Sequence, residues 1–399
     1  MTKALKRNIK LEYLQLGLRN FNVLHGVWLI YLGIKGFSAI DIGIFESVFH
    51  ISSISFEIPS GMLADLIGRK FSRVISIILY ILYIIILFSS TNYAFMVLAF
   101  IFCGASYAFE SGSGEALLYD TLIELKEEET YMKINGNREI IFQLSSSIAL
   151  FIGGYIAIVS YNINFLIVLI AFVTALMPIL LMKEKRRKST KKSESFKLKM
   201  YNHFIKSTNI ALKDKNLLFL LITGALLAAP VTTLFFYFQI YFTDQLLISE
   251  NYIGILLALH SIAGAIGGYF AFRLEKKYGE KLLLYIVPIF LVISFWMIQV
   301  NSFVYFPFII LGFLDSVFYI TLLDYINRIV PSEERATVLS FNSLVFSIIM
   351  IIIFPVVGYL AETFSFQFSF MILAILVSIF YICLLLVLKK TNPIIKKEA

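Results

Sequence analysis

The chain has 399 residues, of which 59% are hydrophobic, 16% aromatic and only 15% charged. Soluble globular domains carry about 25% charged residues, so this composition excludes one and points to lipid as the solvent. A formal net charge of +8 would suit a nucleic-acid binder, but the placement of the charges along the chain assigns it to membrane topology instead.

A membrane-crossing helix needs about 20 mostly apolar residues. The first such stretch, residues 12–34, is longer than the apolar core of a signal peptide and has no small-residue cleavage site, so it reads as a span. Spans follow over 39–62, 73–92, 95–118, 139–160 and 163–182, then a polar segment over 183–215. Six more are expected over 216–243, 250–272, 281–299, 302–326, 337–360 and 366–388, twelve in all. Connections such as Ser-Ser-Thr-Asn at 89–92 are short and make neighbouring helices antiparallel. Cys103 and Cys383 fall inside apolar runs and read as small buried hydrophobes, with neither a disulfide framework nor a metal pattern.

Of the 34 cations, all but Arg19 and Lys35 fall on one side of a twelve-span layout. They sit at the N-terminus, in every second connection and in the tail, with twelve of them between Lys183 and Lys215. The excess of Lys and Arg in cytoplasmic segments then places both termini in the cytoplasm. The run Lys-Glu-Lys-Arg-Arg-Lys at 183–188 reads as a solvated linker rather than a nucleic-acid patch.

The polar segment divides the chain into six-helix halves, 1–182 and 216–399. Repetition supports the division. Tyr119-Asp120 is followed 34 residues after Asp120 by Gly154-Tyr155, and Asp324-Tyr325 is followed 34 residues after Asp324 by Gly358-Tyr359. Two related halves suit alternating access around a site near the membrane midplane.

Residues 61–73 read Gly-Met-Leu-Ala-Asp-Leu-Ile-Gly-Arg-Lys-Phe-Ser-Arg. This resembles the loop 2–3 signature of the major facilitator superfamily, G-x-L-A-D-x-x-G-R-K, at Gly61, Leu63, Ala64, Asp65, Gly68, Arg69 and Lys70. The residues make physical sense there: Gly61 leaves room for a neighbouring helix, Gly68 permits a tight turn, and Asp65 is placed to meet Arg69 or the positive end of a helix. The resemblance implies an all-α fold of twelve membrane helices in two pseudo-symmetric halves, and a role for Asp65 in latching the halves together. The preceding Phe56-Glu57-Ile58-Pro59-Ser60 resembles a bacterial branch assigned to drug export. Two departures stand against the antiport machinery of that group. Ala108 occupies the position where span 4 of the antiporters carries an arginine, and only Gly153-Gly154 remains of the span 5 motif G-P-x-x-G-G.

Charges inside a span cost about 2.5 kcal/mol or more and call for a reason. Arg19 is the one mid-span cation, and Glu110 in span 4 lies at a similar depth, so the two are expected to pair, either to neutralise each other or to serve substrate or protons. Glu46, His50, Ser53 and Glu57 form one polar stripe on span 2, a candidate proton path or a packed polar seam. Asp315 in span 10 is one residue from the repeat counterpart of Glu110. His260 and His25 read as satisfied packing residues. The aromatics Phe235, Phe236, Tyr237, Phe238, Tyr241 and Phe242 at the end of span 7 suit either a lipophilic or cationic substrate or the membrane interface.

No nucleotide-binding loop and no histidine- or aspartate-rich catalytic box occurs, so neither an enzyme nor an ATP-driven pump is expected. The sequence suggests a monomeric secondary transporter of the plasma membrane, exporting amphiphilic or cationic small molecules against proton entry. It needs no cofactor or metal, and its partners are the substrate, protons and the bilayer, not nucleic acid. A solute symporter and a non-transporting sensor on the same scaffold are the alternatives.

Overall fold

The structure, a computed structural model, describes residues 2–184, 215–300, 303–330 and 335–391. Nearly all of the expected linker 183–215 lies outside the described residues, as do Lys396 and Lys397 of the tail. The described residues form helices and no strand. In chain order these are α1 (Thr2–Asn20), α2 (Trp28–Ile34), α3 (Ala39–Ile67), α4 (Arg69–Ser89), α5 (Tyr93–Leu125), α6 (Tyr131–Val159) and α7 (Tyr161–Leu181). They continue with α8 (Lys215–Asp244), α9 (Glu250–Tyr278), α10 (Glu280–Met297), α11 (Tyr305–Ile329), α12 (Arg335–Thr363) and α13 (Phe366–Thr391).

Eleven of these, α3 to α13, are long and apolar enough to cross a membrane, and each falls on one of the expected spans. Large apolar side chains stand exposed along them, among them Phe272 (70%), Ile352 (59%) and Leu166 (55%). That is the surface expected where lipid rather than water is the solvent. Cys383 also lies exposed, not buried as its apolar neighbours suggest, because it falls on the outward face of α13.

The first span departs from expectation. It is helical to Asn20, irregular over 21–27 and helical again from Trp28. The Asn22 side chain accepts from Leu24 N at 3.2 Å, a local bond that competes with the helix ladder. The freed backbone groups find side-chain partners. Asn164 of α7 donates to Val23 O at 3.0 Å and to Gly153 O at 2.9 Å. Gln239 of α8 donates to His25 O at 3.2 Å and accepts from Leu29 N at 3.4 Å. Asn164 and Gln239 are both fully buried. Gly153 of α6 lies directly against the Val23 carbonyl, where a Cβ would not fit. Such a break is tolerated at membrane depth only because protein groups satisfy the backbone.

The chain resolves into two compact units, Met1–Lys192 with Gln239–Ala258 and Ser193–Phe238 with Leu259–Ala399. In the first, hydroxyls stitch α3, α4 and α5 together: Ser72 Oγ donates to Phe109 O at 2.9 Å, Ser76 Oγ to Ser106 O at 2.7 Å and Ser60 Oγ to Ala108 O at 3.0 Å. Lys35 follows α2 and donates to three carbonyls at the end of α4, Leu87 O (2.6 Å), Phe88 O (2.8 Å) and Ser90 O (2.7 Å). It thereby caps the orphan acceptors of that helix, while burial pulls its ammonium below the usual lysine range.

In the second unit the core is aromatic. Phe238 meets Phe308 and Phe370 with ring centroids 4.6 and 5.1 Å apart, and the Tyr237 hydroxyl donates to Phe354 O at 3.0 Å. Tyr237 and Phe238 are 0% exposed, as are Tyr241 and Phe242, which belong to the first unit. These four side chains are therefore core rather than an interfacial belt.

Candidate functional site

Glu12, Gln15 and Arg19 recur on α1 at spacings of three and four, which puts them on one helix face. Arg73 and Ser76 share a face of α4, and Glu110 comes from α5. Together with Arg138 they form a chain of charge, buried at Glu12 and Arg73 and half-buried at its ends. Arg138 Nη2 of α6 lies 3.4 Å from Glu12 Oε1, and Glu12 Oε2 lies 2.6 Å from Arg73 Nη1. Arg73 Nη2 lies 2.8 Å from Glu110 Oε1, and Glu110 Oε2 lies 3.4 Å from Arg19 Nη1. The Arg73 side chain is 0% exposed. It spends its donors fully: Nε and Nη2 on Glu110 Oε1 at 3.1 and 2.8 Å, Nη2 also on Gln15 Oε1 at 2.7 Å, and Nη1 on Glu12. A guanidinium sealed from water needs such partners, since an uncompensated buried charge typically costs about 3–5 kcal/mol.

Arg19 and Glu110 thus meet, yet Arg73 is the stronger partner of Glu110. The sequence reading placed Arg73 among the topogenic turn cations and passed over Glu12. The i, i+3, i+7 spacing of Glu12, Gln15 and Arg19 is the signal that could have found the cluster. Arg19 itself donates through Nη1 to Ser76 Oγ at 2.8 Å and lies 6.0 Å from the ring centroid of Phe172. That ring stacks on Tyr80 at 3.9 Å.

The stripe on α3 is only partly assembled. His50 Nε2 lies 3.7 Å from Glu46 Oε1, both side chains nearly buried. Ser53 is half-buried and Glu57 is exposed, further along the helix. In the second unit Asp315 keeps one carboxylate oxygen buried without a hydrogen-bond partner. His260 Nδ1 lies 2.7 Å from Phe308 O, and its ring stacks on Phe308 at 4.8 Å, the satisfied packing role expected of it. His25 lies in the break of the first span with its side chain exposed.

At the signature turn Gly68 has φ 118°, a conformation that favours glycine. The carboxylate of Glu184, just past α7, accepts from Arg69 N (2.7 Å) and Lys70 N (3.0 Å), capping the positive start of α4. Lys70 Nζ donates to Leu180 O at 2.5 Å and Met182 O at 3.1 Å. The Arg69 guanidinium meets Asp120 and the Ala116 carbonyl, not Asp65. Asp65 is exposed and makes no ion pair among the described residues. No described atom lies within 4 Å of where a Cβ on Gly61 would stand. The corresponding turn of the second unit has Gly279 at φ 81°. There Arg328 meets Glu275 at 2.5 Å, Glu280 at 3.0 Å and Asp324. Those three carboxylates cluster closely enough to hold a cation, and a guanidinium neutralises them.

Eleven long apolar helices with large hydrophobic side chains exposed along them define a multi-pass membrane protein. The sequence profile of the Major Facilitator Superfamily matches residues 19–246 and, in a second match, 220–399. A relative in Bacillus subtilis (strain 168), the uncharacterized MFS-type transporter YxaM, is 25% identical over 366 residues, 88% of each chain. Among solved structures, the nucleoside transporter NupG superposes with a TM-score of 0.77 at 14% identity, covering 97% of this chain and 99% of its own. A bacterial homolog of the human lysosomal transporter Spinster, inward-facing and unoccupied, gives 0.74 at 13% identity, covering 97% and 96%. At such identities the likeness is one of fold. The chain belongs to the major facilitator superfamily, a family of membrane transporters and not of enzymes.

Proposed function

We propose that the protein is a proton-coupled exporter of amphiphilic small molecules. It would work in the plasma membrane by alternating access between the halves 1–182 and 216–399, as a monomer with both termini in the cytoplasm. The Glu46–His50 contact carries the coupling. Two titratable side chains stand 3.7 Å apart inside a membrane helix, and such pairs at membrane depth are suited to taking up and passing protons. The partnerless carboxylate oxygen of Asp315 supports the same reading from the second unit. Substrate would be met at the Arg19 end of the charge chain, and Asp65 would find its latching partner in another state of the cycle. Export rests on the resemblance of Phe56-Glu57-Ile58-Pro59-Ser60. Symport of a solute is favoured by one observation, the uncharged Ala108 where drug antiporters carry arginine.

The test is uptake of a labelled amphiphile panel into inside-out vesicles with and without an imposed pH gradient. Uptake driven by an acid interior, and lost in Glu46→Gln, is expected. Uptake independent of the gradient would remove the coupling, and accumulation only in right-side-out vesicles would select the symporter. Cysteines at Thr91 and Glu129, in a background lacking Cys103 and Cys383, should react from opposite faces of the membrane. Reaction from one face would sink the topology.

A further inference from the structure

We infer that Arg19 is a binding site for an oxyanion, and that the substrates of this transporter are amphiphiles carrying one. The inference rests on the transport reading above and names its substrate class. It also turns away from the cationic substrates that the sequence allowed.

The argument begins with the order of charges. Arg138, Glu12, Arg73, Glu110 and Arg19 alternate in sign, each within 3.4 Å of the next. The chain has a cation at both ends and one more positive charge than negative. Arg138 ends it toward the acidic turn between α5 and α6, Lys-Glu-Glu-Glu-Thr at 126–130, where anions and water are available. Arg19 ends it at membrane depth, where a charge without a counter-charge is costly. The next member of the alternation at that end is an anion, and no described side chain supplies it. Glu46 is turned to His50, and Glu57 and Glu115 are exposed.

Hydrogen bonding agrees with the charge order. A guanidinium offers five N–H donors in a planar fork. Glu110 Oε1 already takes three donors, two from Arg73 and one from Gln15 at 3.3 Å. Glu110 Oε2 faces Arg19 without a hydrogen bond. Arg19 uses Nη1 on Ser76, while Nε and Nη2 have no hydrogen bond to a described residue. The side chain is 14% exposed, so the free edge of the fork is open rather than sealed. A carboxylate, sulfonate or phosphate is the group that such a fork accepts in bidentate fashion. Tyr107, one turn before Glu110 on α5 and 57% exposed, offers apolar surface for the remainder of the ligand, while Phe172, 6.0 Å from the guanidinium, is itself buried.

The test uses matched probes of one shape: 2-naphthoate, 2-naphthylmethanol and 2-naphthylmethylammonium, with sulfate as a bare oxyanion. Affinity is read from ligand-induced thermal stabilisation of the full chain in detergent. The wild type should bind naphthoate about ten-fold or more tightly than either the alcohol or the ammonium, the scale of one charge-assisted fork. Arg19→Lys should keep part of that preference, and Arg19→Gln should abolish it. The wild-type ranking decides the matter even if Arg19→Gln fails to fold. A preference for the ammonium, equal binding of all three, no stabilisation by naphthoate, or an anion preference unchanged in the Arg19 variants would each overturn the inference. Sulfate binding as tightly as naphthoate would overturn the amphiphile half of it. Naphthoate-selective binding without vesicle uptake of labelled naphthoate would support the site and count against coupled export.

Discussion

The two glycine turns, α3–α4 in the first unit and α9–α10 in the second, share a backbone and differ in charge. Both pass through a glycine with positive φ, Gly68 at 118° and Gly279 at 81°. In the first turn the residue after the glycine is Arg69, paired with Asp120. In the second it is Glu280, paired with Arg328 one turn beyond Asp324. The turn therefore demands a glycine and a neutralised pair, and leaves open which partner is positive. The contrast deepens a little further into the helices. The first unit holds five alternating charges, two of them, Glu12 and Arg73, buried, whereas the second fills its core with phenylalanines around Phe238, Phe308 and Phe354. Symmetry of the chain path is thus no guide to the chemistry it carries.

The largest effect expected from this asymmetry is at Arg73. Arg73→Met leaves Glu12 and Glu110 buried without their common partner, and should lower stability by about 3–5 kcal/mol. Arg328→Ala, in a side chain that is 54% exposed, should cost about 1 kcal/mol or less. Thermal unfolding in detergent measures both, and equal losses would erase the distinction between a buried chain and a screened cluster. Next comes the Arg19–Glu110 pair. Glu110→Gln weakens two guanidiniums at once and Arg19→Gln only one carboxylate, so the first should cost more. Because Arg73 remains, the double variant should recover only part of the loss. Strict additivity would show that the two residues do not interact.

Smaller effects come from the turns themselves. Gly279→Ala meets no neighbour within 4 Å and should cost only the backbone strain, about 1–3 kcal/mol. Gly68→Ala adds a Cβ placed 2.8 Å from Glu184 Oε2, so its denaturation midpoint should fall further. A larger drop for Gly279→Ala would contradict the packing described. The smallest change in stability belongs to Asp65→Asn, since Asp65 is exposed and unpaired here. Transport in proteoliposomes should nonetheless fall if the latch operates, because a contact made in one state alone shifts the equilibrium between states. Full activity would remove Asp65 from the mechanism.

Helix placement was largely legible because apolar length, turn residues and one-sided cations all gave the same register, and α3 to α13 lie where those signals put them. The break at 21–27 was not. Its residues are as apolar as a span, and the bonds that stabilise it come from Asn164 and Gln239, distant in sequence. Asn22 and Gly26 were the only local hints. The pairing of Arg19 with Glu110 could be anticipated from depth, since isolated charges in lipid seek one another. The central place of Arg73 could not, because a cation a few residues past a turn looks the same whether it points to water or inward.

The steric role of Gly153 and Gly154 bears on what remains of the span 5 motif. Gly153 leaves room for the Val23 carbonyl, and Gly154 for that of Glu250. A side chain at Gly153 would displace the broken segment of the first span, and one at Gly154 would displace the start of α9. The two glycines serve as joinery between backbones, and that work needs no proline beside them.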